Sequence, residues 1–418
     1  MGATFAHDRW LPGQRWYDAR RARALARFLR RDLPRASFYA PYVGRPLAEL
    51  PVVDKATVLA DFAGFNRYGV TLEQAMDVAR EAERTRDFTP TVHGVTVGLS
   101  SGTSGRPGVF LVSDRERRRW AGALMAQLLA PASLRIVARR APLKVALFLR
   151  ANSNLYETLG SSRVEFRYCD LTRPLEEHVA AVSDVDVLVG PPSVLRQLTT
   201  LVALRPTQVI AAAETLEPDD AAAIEAAYGV PVEQIYQATE GLLGVSCPER
   251  RVHLNEGYVH IEPQWLDNQG LDDERFVPIV TDFTRTTQLV VRYRLDDVLL
   301  AADGPCPCGR PGRSVRAVLG RCDDVLDLRG TDVQTVSVFP DVLRHAMAFA
   351  RPNDYRVEQH GEIWRIALRG ATAEQVEREI GDLAERLHAP PPKLETMPWP
   401  VEAATDKRRR IRRVRGLD

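Results

Sequence analysis

Between Lys144 and Gln237 the sequence alternates strand-like and helix-like segments, and this constrains the fold more than any other feature of the chain. KVALFLR, VEFRYCDL, DVDVLVG, TQVIAAA and VEQIYQ are short and rich in apolar or β-branched residues. From the second of them onward, the helix-like stretches LEEHVAAVSD (Leu175 to Asp184), PSVLRQLTTLVAL and DDAAAIEAAYG fall in between. Strands that alternate with helices of this length form βαβ units, because a parallel neighbour is reached only through a crossover. The segment is therefore expected to be an α/β layer built on a parallel sheet.

The flanking regions have a different texture. Up to about Thr89 the chain is Arg/Ala-rich and reads as helical. Ser113-Asp-Arg-Glu116 has the form of a capping box, and Trp120, Leu124 and Leu128 follow at helical spacing. After Glu240, YVHIEP, RFVPIVTDF and QLVVRYRL alternate without intervening helices, which predicts a smaller, mostly antiparallel β subdomain. Gly320 to Gly330 breaks the pattern with glycine and charge. Beyond it, RVEQHGEIWRIALRG reads as a hairpin, and Thr372 caps a helix with Val376, Ile380, Leu383 and Leu387 on one face. These elements make a compact C-terminal α+β domain of roughly 90 residues.

Composition excludes several classes. Lys and Arg number 56 against 55 Asp and Glu, so the net charge of +1 does not suit a dedicated nucleic-acid or membrane binder. One local exception is KRRRIRRVR, from Lys407 to Arg415, which has the composition of a solvated basic tail or a nucleic-acid patch. With 45% hydrophobic residues over 418 positions, a core needs no disulfide or metal for reasons of size. Five cysteines in such a length do not form a disulfide framework. MGATFAHDRWLPGQRW holds no signal-peptide core, and no later run approaches the ~20 apolar residues of a membrane span. A cytoplasmic protein without membrane or nucleic-acid partners is the expectation.

The segment Leu99 to Gly108, LSSGTSGRPG, concentrates three glycines and four hydroxyl residues. Ser101, Gly102, Thr103, Ser104 and Gly105 can offer backbone N–H groups and hydroxyls to phosphate oxygens, with glycine permitting the close approach. A plain Gly/Ser loop has the same composition. A P-loop does not fit, because no Gly-Lys-Ser/Thr follows.

This segment resembles the phosphate loop of the adenylate-forming superfamily of acyl-CoA synthetases, adenylation domains and luciferases, with Gly108 where a lysine is usual. Four further stretches fall in that family's order. Ala212-Ala-Glu214-Thr-Leu resembles the segment against the adenine, and Tyr236-Gln-Ala-Thr239-Glu240 resembles the aromatic–Thr–Glu motif. Arg292-Tyr-Arg-Leu-Asp-Asp297 resembles the motif whose last carboxylate accepts hydrogen bonds from the ribose, and Asp297 is favoured over Asp296 for that role. Gly320 to Gly330 resembles the interdomain hinge, with Arg321 toward the nucleotide, Asp323 as pivot and Asp327 in place of a lysine.

The resemblance implies ATP and Mg²⁺ as cofactors, with Glu240 on the metal and catalysis shared by Thr239, Glu240 and Lys407, the last neutralising charge during AMP transfer. It also implies a large ATP- and substrate-binding domain over residues 1–320 and a small mobile α+β lid over 321–418.

Cys306-Pro-Cys308 forms a tight pair, and Cys247 and His253 lie upstream in the same β-rich region. Three thiolates and an imidazole make a closed tetrahedral zinc set, although free thiols in a turn fit the spacing too. CPCGR, like LPVVDKATVLADFAGFN, resembles the phenylacetate-CoA ligase branch, which includes ATP-dependent diazotases of secondary metabolism. The favoured specific expectation is a diazotase that adenylylates nitrite for attack by an aromatic amine. An aryl-acid CoA ligase is the alternative, and a non-catalytic nucleotide-binding protein is a third. Asn152, Asn154 and Tyr156 follow a strand and would line the acceptor pocket, or form a plain polar turn.

Overall fold

The computed structural model describes residues 13–99, 108–139, 142–149, 162–267, 271, 274–330, 335–400 and 408–414. They divide into two compact units. The first takes the chain up to Glu262 with Ile279–Leu295 and Ala302–Arg316, and the second takes Pro263–Pro278, Asp296–Ala301 and everything from Ala317 onward.

The first unit opens with helices α1 (Gln14–Arg31), α2 (Lys55–Ala60) and α3 (Leu72–Thr85), as the Arg/Ala-rich text predicts. Thr71 and Gln74 close a reciprocal capping box on α3, which satisfies two of its orphan donors. Strands β1 (Thr91–Val92), β2 (Val95–Leu99) and β3 (Val109–Val112) form a small antiparallel sheet. The helices and this sheet share a core of Phe28, Leu33, Tyr39, Phe65 and Leu111, completed by Phe283, Leu289 and Val291 from far along the chain. Helix α4 (Asp114–Leu128) starts at the expected Ser113–Glu116 box, and α5 (Pro131–Ala138) follows.

The predicted parallel layer is present. Strands β4 (Leu143–Leu149), β5 (Val164–Asp170), β6 (Val187–Gly190), β7 (Gln208–Ala211) and β8 (Val232–Ala238) lie in the order β5-β4-β6-β7-β8, every neighbouring pair parallel. Crossovers run through α6 (Val179–Val182, entered by a 3-10 turn at Leu175–His178), α7 (Pro192–Leu201) and α8 (Pro218–Tyr228). The period-two alternation of a strand sends Leu147 into one apolar core and its neighbours Ala146 and Phe148 into another, so the sheet is covered on both faces.

Beyond β8 the pairing turns antiparallel, as the change of texture predicts. Strand β9 (Gly241–Ser246) folds back on β8, and β10 (Val252–Leu254) pairs with β9. The set continues with β11 (Val259–Trp265), β12 (Arg275–Asp282), β13 (Val290–Arg294), β14 (Asp297–Ala301) and β15 (Ser314–Arg321). Within the first unit, Ile279 to Asp282 pair with β13 across a bulge, and Ser314 and Val315 pair with β10.

In the second unit Arg275 and Phe276 pair with β14, and Val298, Leu319, Val325 and Phe339 make a small core. A hairpin of β16 (Leu326–Arg329) and β17 (Thr335–Val338) leads to α9 (Pro340–Ala350). The expected second hairpin is β18 (Asp354–His360) with β19 (Ile363–Arg369), and α10 (Ala373–Arg386) buries Val376, Ile380 and Leu383 against fully buried Trp364.

Strand β20 (Lys393–Thr396) joins one edge of this sheet and β21 (Ile411–Val414) the other, both parallel to their neighbours. The basic run is therefore not a solvated tail over its described part: Ile411 is 3% exposed in the core. Its arginines meet carboxylates. Arg408 and Arg410 reach Asp354 at 2.8 and 3.2 Å, Arg412 Nε reaches Glu358 at 2.9 Å, Arg409 Nε reaches Asp324 at 2.8 Å, and Arg413 pairs with Asp327. Among the described residues no single helix is long and apolar enough to cross a membrane.

Candidate active site

Parallel strands β6, β7 and β8 end at the same edge of their sheet, where α/β folds bind ligands. Two of the expected segments leave from that edge. After β7 the chain takes a positive φ of 69° at Ala213, and Ser193, at the start of α7, donates its hydroxyl to Glu214 Oε2 at 2.6 Å. Glu214 is thus held by a neighbouring crossover rather than left to solvent. After β8, on which Tyr236 is buried, Thr239 Oγ1 donates to Glu240 Oε2 at 2.9 Å, and both side chains are half-buried. A Cβ on Gly241 would fall 2.8 Å from Asp282 Oδ2, at a φ of +157°, so the residue after the Thr–Glu pair must be glycine for this turn to close.

The Gly-rich segment connects β2 to β3, whose last register pair before the loop is Leu99 with Val109. Ser101, Gly102, Thr103, Ser104 and Gly105 lie outside the described residues, as do Asn152, Asn154, Tyr156 and Lys407.

Behind β3 and the Thr239–Glu240 turn stands a buried polar framework that motif reading missed. Gln288 Oε1 accepts from Leu111 N at 2.8 Å, and Arg285 Nη2 donates to Leu111 O at 3.2 Å, so one residue of β3 is held by both its backbone groups. Arg285 Nη1 donates to Thr239 O at 3.1 Å. One guanidinium therefore bridges the strand that follows the Gly-rich segment and the turn that carries Thr239 and Glu240. Asp282 Oδ1 accepts from Thr284 N and Oγ1, both at 2.7 Å, and from Arg285 N at 3.2 Å.

Glu116, the capping-box carboxylate of α4, receives Ser113 N at 2.8 Å and Thr287 N at 2.9 Å, besides Thr286 N. Burial alone would raise the Glu116 carboxyl, but the Arg285 charge and these donors hold it below the usual range. Burial prevails at Asp282 and lifts its carboxyl. The available signal was the polar run DFTRTTQ at 282–288 between two apolar strands, since polar residues placed in a core have to be paired.

In the second unit Asp297 Oδ1 lies 4.0 Å from Arg321 Nε, and Asp296 beside it is exposed. The two residues expected at the ribose and nucleotide are therefore neighbours, on β14 and β15. Arg321 leads into the 3-10 turn Cys322–Asp324, which contains the half-buried Asp323. Asp324 closes that turn by accepting from Arg321 N at 2.7 Å, and Gly320 takes a φ of +139° where a Cβ would fall 2.7 Å from Asp324 Oδ2. Asp327, at the position of a lysine in the resembling family, is the partner of Arg413 on β21.

The cysteine–histidine set assembles in the first unit. The donor atoms of Cys247, His253, Cys306 and Cys308 all lie within 4.8 Å of one another. Cys247 Sγ stands 3.6 Å from Cys306 Sγ, and Cys308 Sγ stands 3.2 Å from His253 Nε2. Burial, with Arg310 and Arg251 nearby, pushes the His253 imidazole down to about 4, which leaves the ring neutral.

No family model matches the sequence. Over 171 residues the chain is 27% identical to a phenylacetate-coenzyme A ligase of Thermus thermophilus, an alignment that takes in 38% of this chain and 37% of that enzyme. The match thus spans little more than a third of the relative's length. Among solved structures, 2-hydroxyisobutyryl-CoA ligase in the postadenylation state with 2-HIB-AMP superposes with a TM-score of 0.63 at 17% identity, over 93% of this chain and 85% of that one. The anthranilate CoA ligase AuaEII with anthranoyl-AMP gives 0.50 at 14% identity, over 75% and 65%. The chain has the mixed α/β fold of the adenylate-forming ligases.

Proposed function

We propose that this chain is an ATP-dependent, AMP-forming ligase that activates an aromatic carboxylate and passes the acyl group to CoA. The observation that carries the reading is the gathering of the Ser193–Glu214 and Thr239–Glu240 pairs at the carboxyl edge of the parallel sheet. The sequence expectation of a nitrite-activating diazotase ranks second here, because the chain is similar to a phenylacetate-coenzyme A ligase and, in fold, to 2-hydroxyisobutyryl-CoA and anthranilate CoA ligases.

In the first half-reaction a carboxylate oxygen attacks the α-phosphorus of ATP, the bond to the bridging oxygen breaks, and pyrophosphate leaves. In the second, the CoA thiolate attacks the acyl carbon, the bond to the AMP oxygen breaks, and AMP leaves. Ser101 to Gly105 would cradle the phosphates, Glu214 and Tyr236 would face the adenine, and Asp297 and Arg321 would hold the ribose and its phosphate. Glu240 offers the hard oxygen that Mg²⁺ prefers, and Thr239 orients it through their hydrogen bond. The ion would supply charge neutralisation on the phosphate oxygens. Asn152, Asn154 and Tyr156 would border the acyl pocket.

We assign residues 1–320 to the nucleotide- and substrate-binding domain, and 321–418 to a lid turning at Asp323 that brings Lys407 to the α-phosphate for the first step. A nucleic-acid-binding role is disfavoured by the carboxylate partners of Arg408, Arg409, Arg410, Arg412 and Arg413.

The test is AMP release from MgATP with two substrate sets: aromatic acids plus CoA, and nitrite plus aromatic amines. AMP with an acid and CoA is expected. AMP only with nitrite would replace the ligase reading by the diazotase, and AMP in neither set would remove both.

A further inference from the structure

We propose that Cys247, His253, Cys306 and Cys308 bind one structural Zn²⁺ and so brace the antiparallel part of the first unit. Tetrahedral zinc bonds sulfur at about 2.3 Å and imidazole nitrogen at about 2.0 Å, which sets sulfur–sulfur edges of about 3.8 Å and sulfur–nitrogen edges of about 3.5 Å. The observed 3.6 and 3.2 Å fall within a few tenths of these edges. A disulfide would hold its sulfurs at about 2.05 Å, so Cys247 and Cys306 are neighbours and not a bonded pair. Three thiolates with one imidazole select zinc over the hard cations, which take oxygen ligands.

The backbone is shaped to present these donors. Cys247 follows β9 and His253 lies in β10, and the turn between them is closed by Arg250 N donating to Cys247 O at 2.8 Å with a φ of +58° at Arg250. Cys306 and Cys308 sit in a second turn bounded by Gly304 and Gly309, at φ of +83° and +73°, where a side chain would be strained. Arg310 N donates to Cys308 Sγ at 3.5 Å, the backbone-to-sulfur contact that tunes a thiolate ligand.

The set would carry one net negative charge with zinc. Two guanidinium groups are fixed alongside: Arg251 on the carbonyls of Gly304 and Pro305, and Arg310 on that of Ser246.

Four protein donors complete the coordination and leave no position for water or substrate, so the ion is structural and not catalytic. Its mechanical role follows from chain separation. Cys247 and Cys306 are 59 residues apart, and the ion would clip that loop shut beside β9, the strand that begins directly after Glu240. The site stands independently of the ligase reading, since none of its ligands is assigned a role in adenylation.

The experiment is metal analysis of the full chain purified under reducing conditions, with thiol titration by a mercurial and cobalt exchange. About one zinc per chain is expected, released in step with titration of the ligand thiols, and cobalt should give the charge-transfer and d–d bands of a tetrahedral thiolate site. Cys306→Ser should lose the metal and melt at a lower temperature, whereas Cys322→Ser should retain the full metal content. A chain that carries no zinc, takes up neither metal from micromolar solution and melts unchanged with chelator would overturn the proposal, as would a Cys247–Cys306 disulfide found by mass spectrometry. If Cys306→Ser fails to fold, the mercurial release and cobalt spectrum of the unmodified chain decide the matter alone.

Discussion

Replacing Arg285 by methionine isolates what the buried framework contributes. The substitution keeps much of the side-chain volume but removes two hydrogen bonds, to Thr239 O at 3.1 Å and to Leu111 O at 3.2 Å. It also strips the nearby positive charge from Glu116 and Asp282, which are 6% and 4% exposed. Hydrogen bonds from a charged donor contribute about 1.5–3 kcal/mol each, whereas a buried charge left without its partner costs about 3–5 kcal/mol. The stranded carboxylates should dominate, and the expected loss is about 3–5 kcal/mol, a large part of the ~5–15 kcal/mol that a domain commonly has.

Denaturant unfolding of wild type, Arg285→Met, Glu116→Gln and the double variant gives the coupling between the two side chains. The double variant should lose less than the sum of the single losses, because neither partner is left behind charged. A loss below about 1 kcal/mol for Arg285→Met, or losses that simply add, would refute the electrostatic argument. In folded Arg285→Lys, which retains the charge but not the fork that reaches Thr239 O and Leu111 O together, KM for MgATP should rise more than kcat falls.

Glu240→Ala should lose Mg²⁺-dependent AMP release while its melting temperature stays near that of wild type, and near-normal turnover would undo the metal assignment. Lys407→Ala should slow adenylation by a factor of ~10²–10³ with ATP binding by calorimetry retained, and unchanged turnover would show the lysine to be misassigned. Glu116 also gives a pH prediction. Its folded carboxyl lies below the ordinary range of a free glutamate, so its stabilisation is fully present above that range and is lost as pH falls through the depressed folded value. The melting advantage of wild type over Glu116→Gln should therefore be constant near neutrality and shrink in acid, and an advantage that persists unchanged in acid would contradict it.

What was legible in the sequence was what local patterning encodes. The parallel sheet was readable because the strands from Lys144 to Gln237 and the crossovers from Leu175 onward carry their own patterns, and the Ser113–Glu116 and Thr372–Gln375 boxes mark helix starts within four residues of chain. Strand β21 and the arginines that lead into it were not readable, because the partners of Arg408 to Arg413 come from Asp324, Asp327, Asp354 and Glu358, and a run of basic residues looks the same solvated or paired. Arg285 escaped for a related reason: its meaning depends on Leu111 and Thr239, which reach it only through the fold. The four cysteine and histidine donors proposed for zinc lay between these cases. They were visible as an inventory, but their C-x-C spacing does not specify a geometry, and the turns at Arg250, Gly304 and Gly309 provide it.

The most direct test of adenylate formation is exchange of labelled pyrophosphate into ATP in the absence of CoA. Exchange should require Mg²⁺ and an aromatic acid, and should slow by a factor of ~10²–10³ in Lys407→Ala. Label remaining in pyrophosphate while acid-dependent ADP accumulates would contradict it, because cleavage would then fall at the γ-phosphate and no acyl-AMP would form.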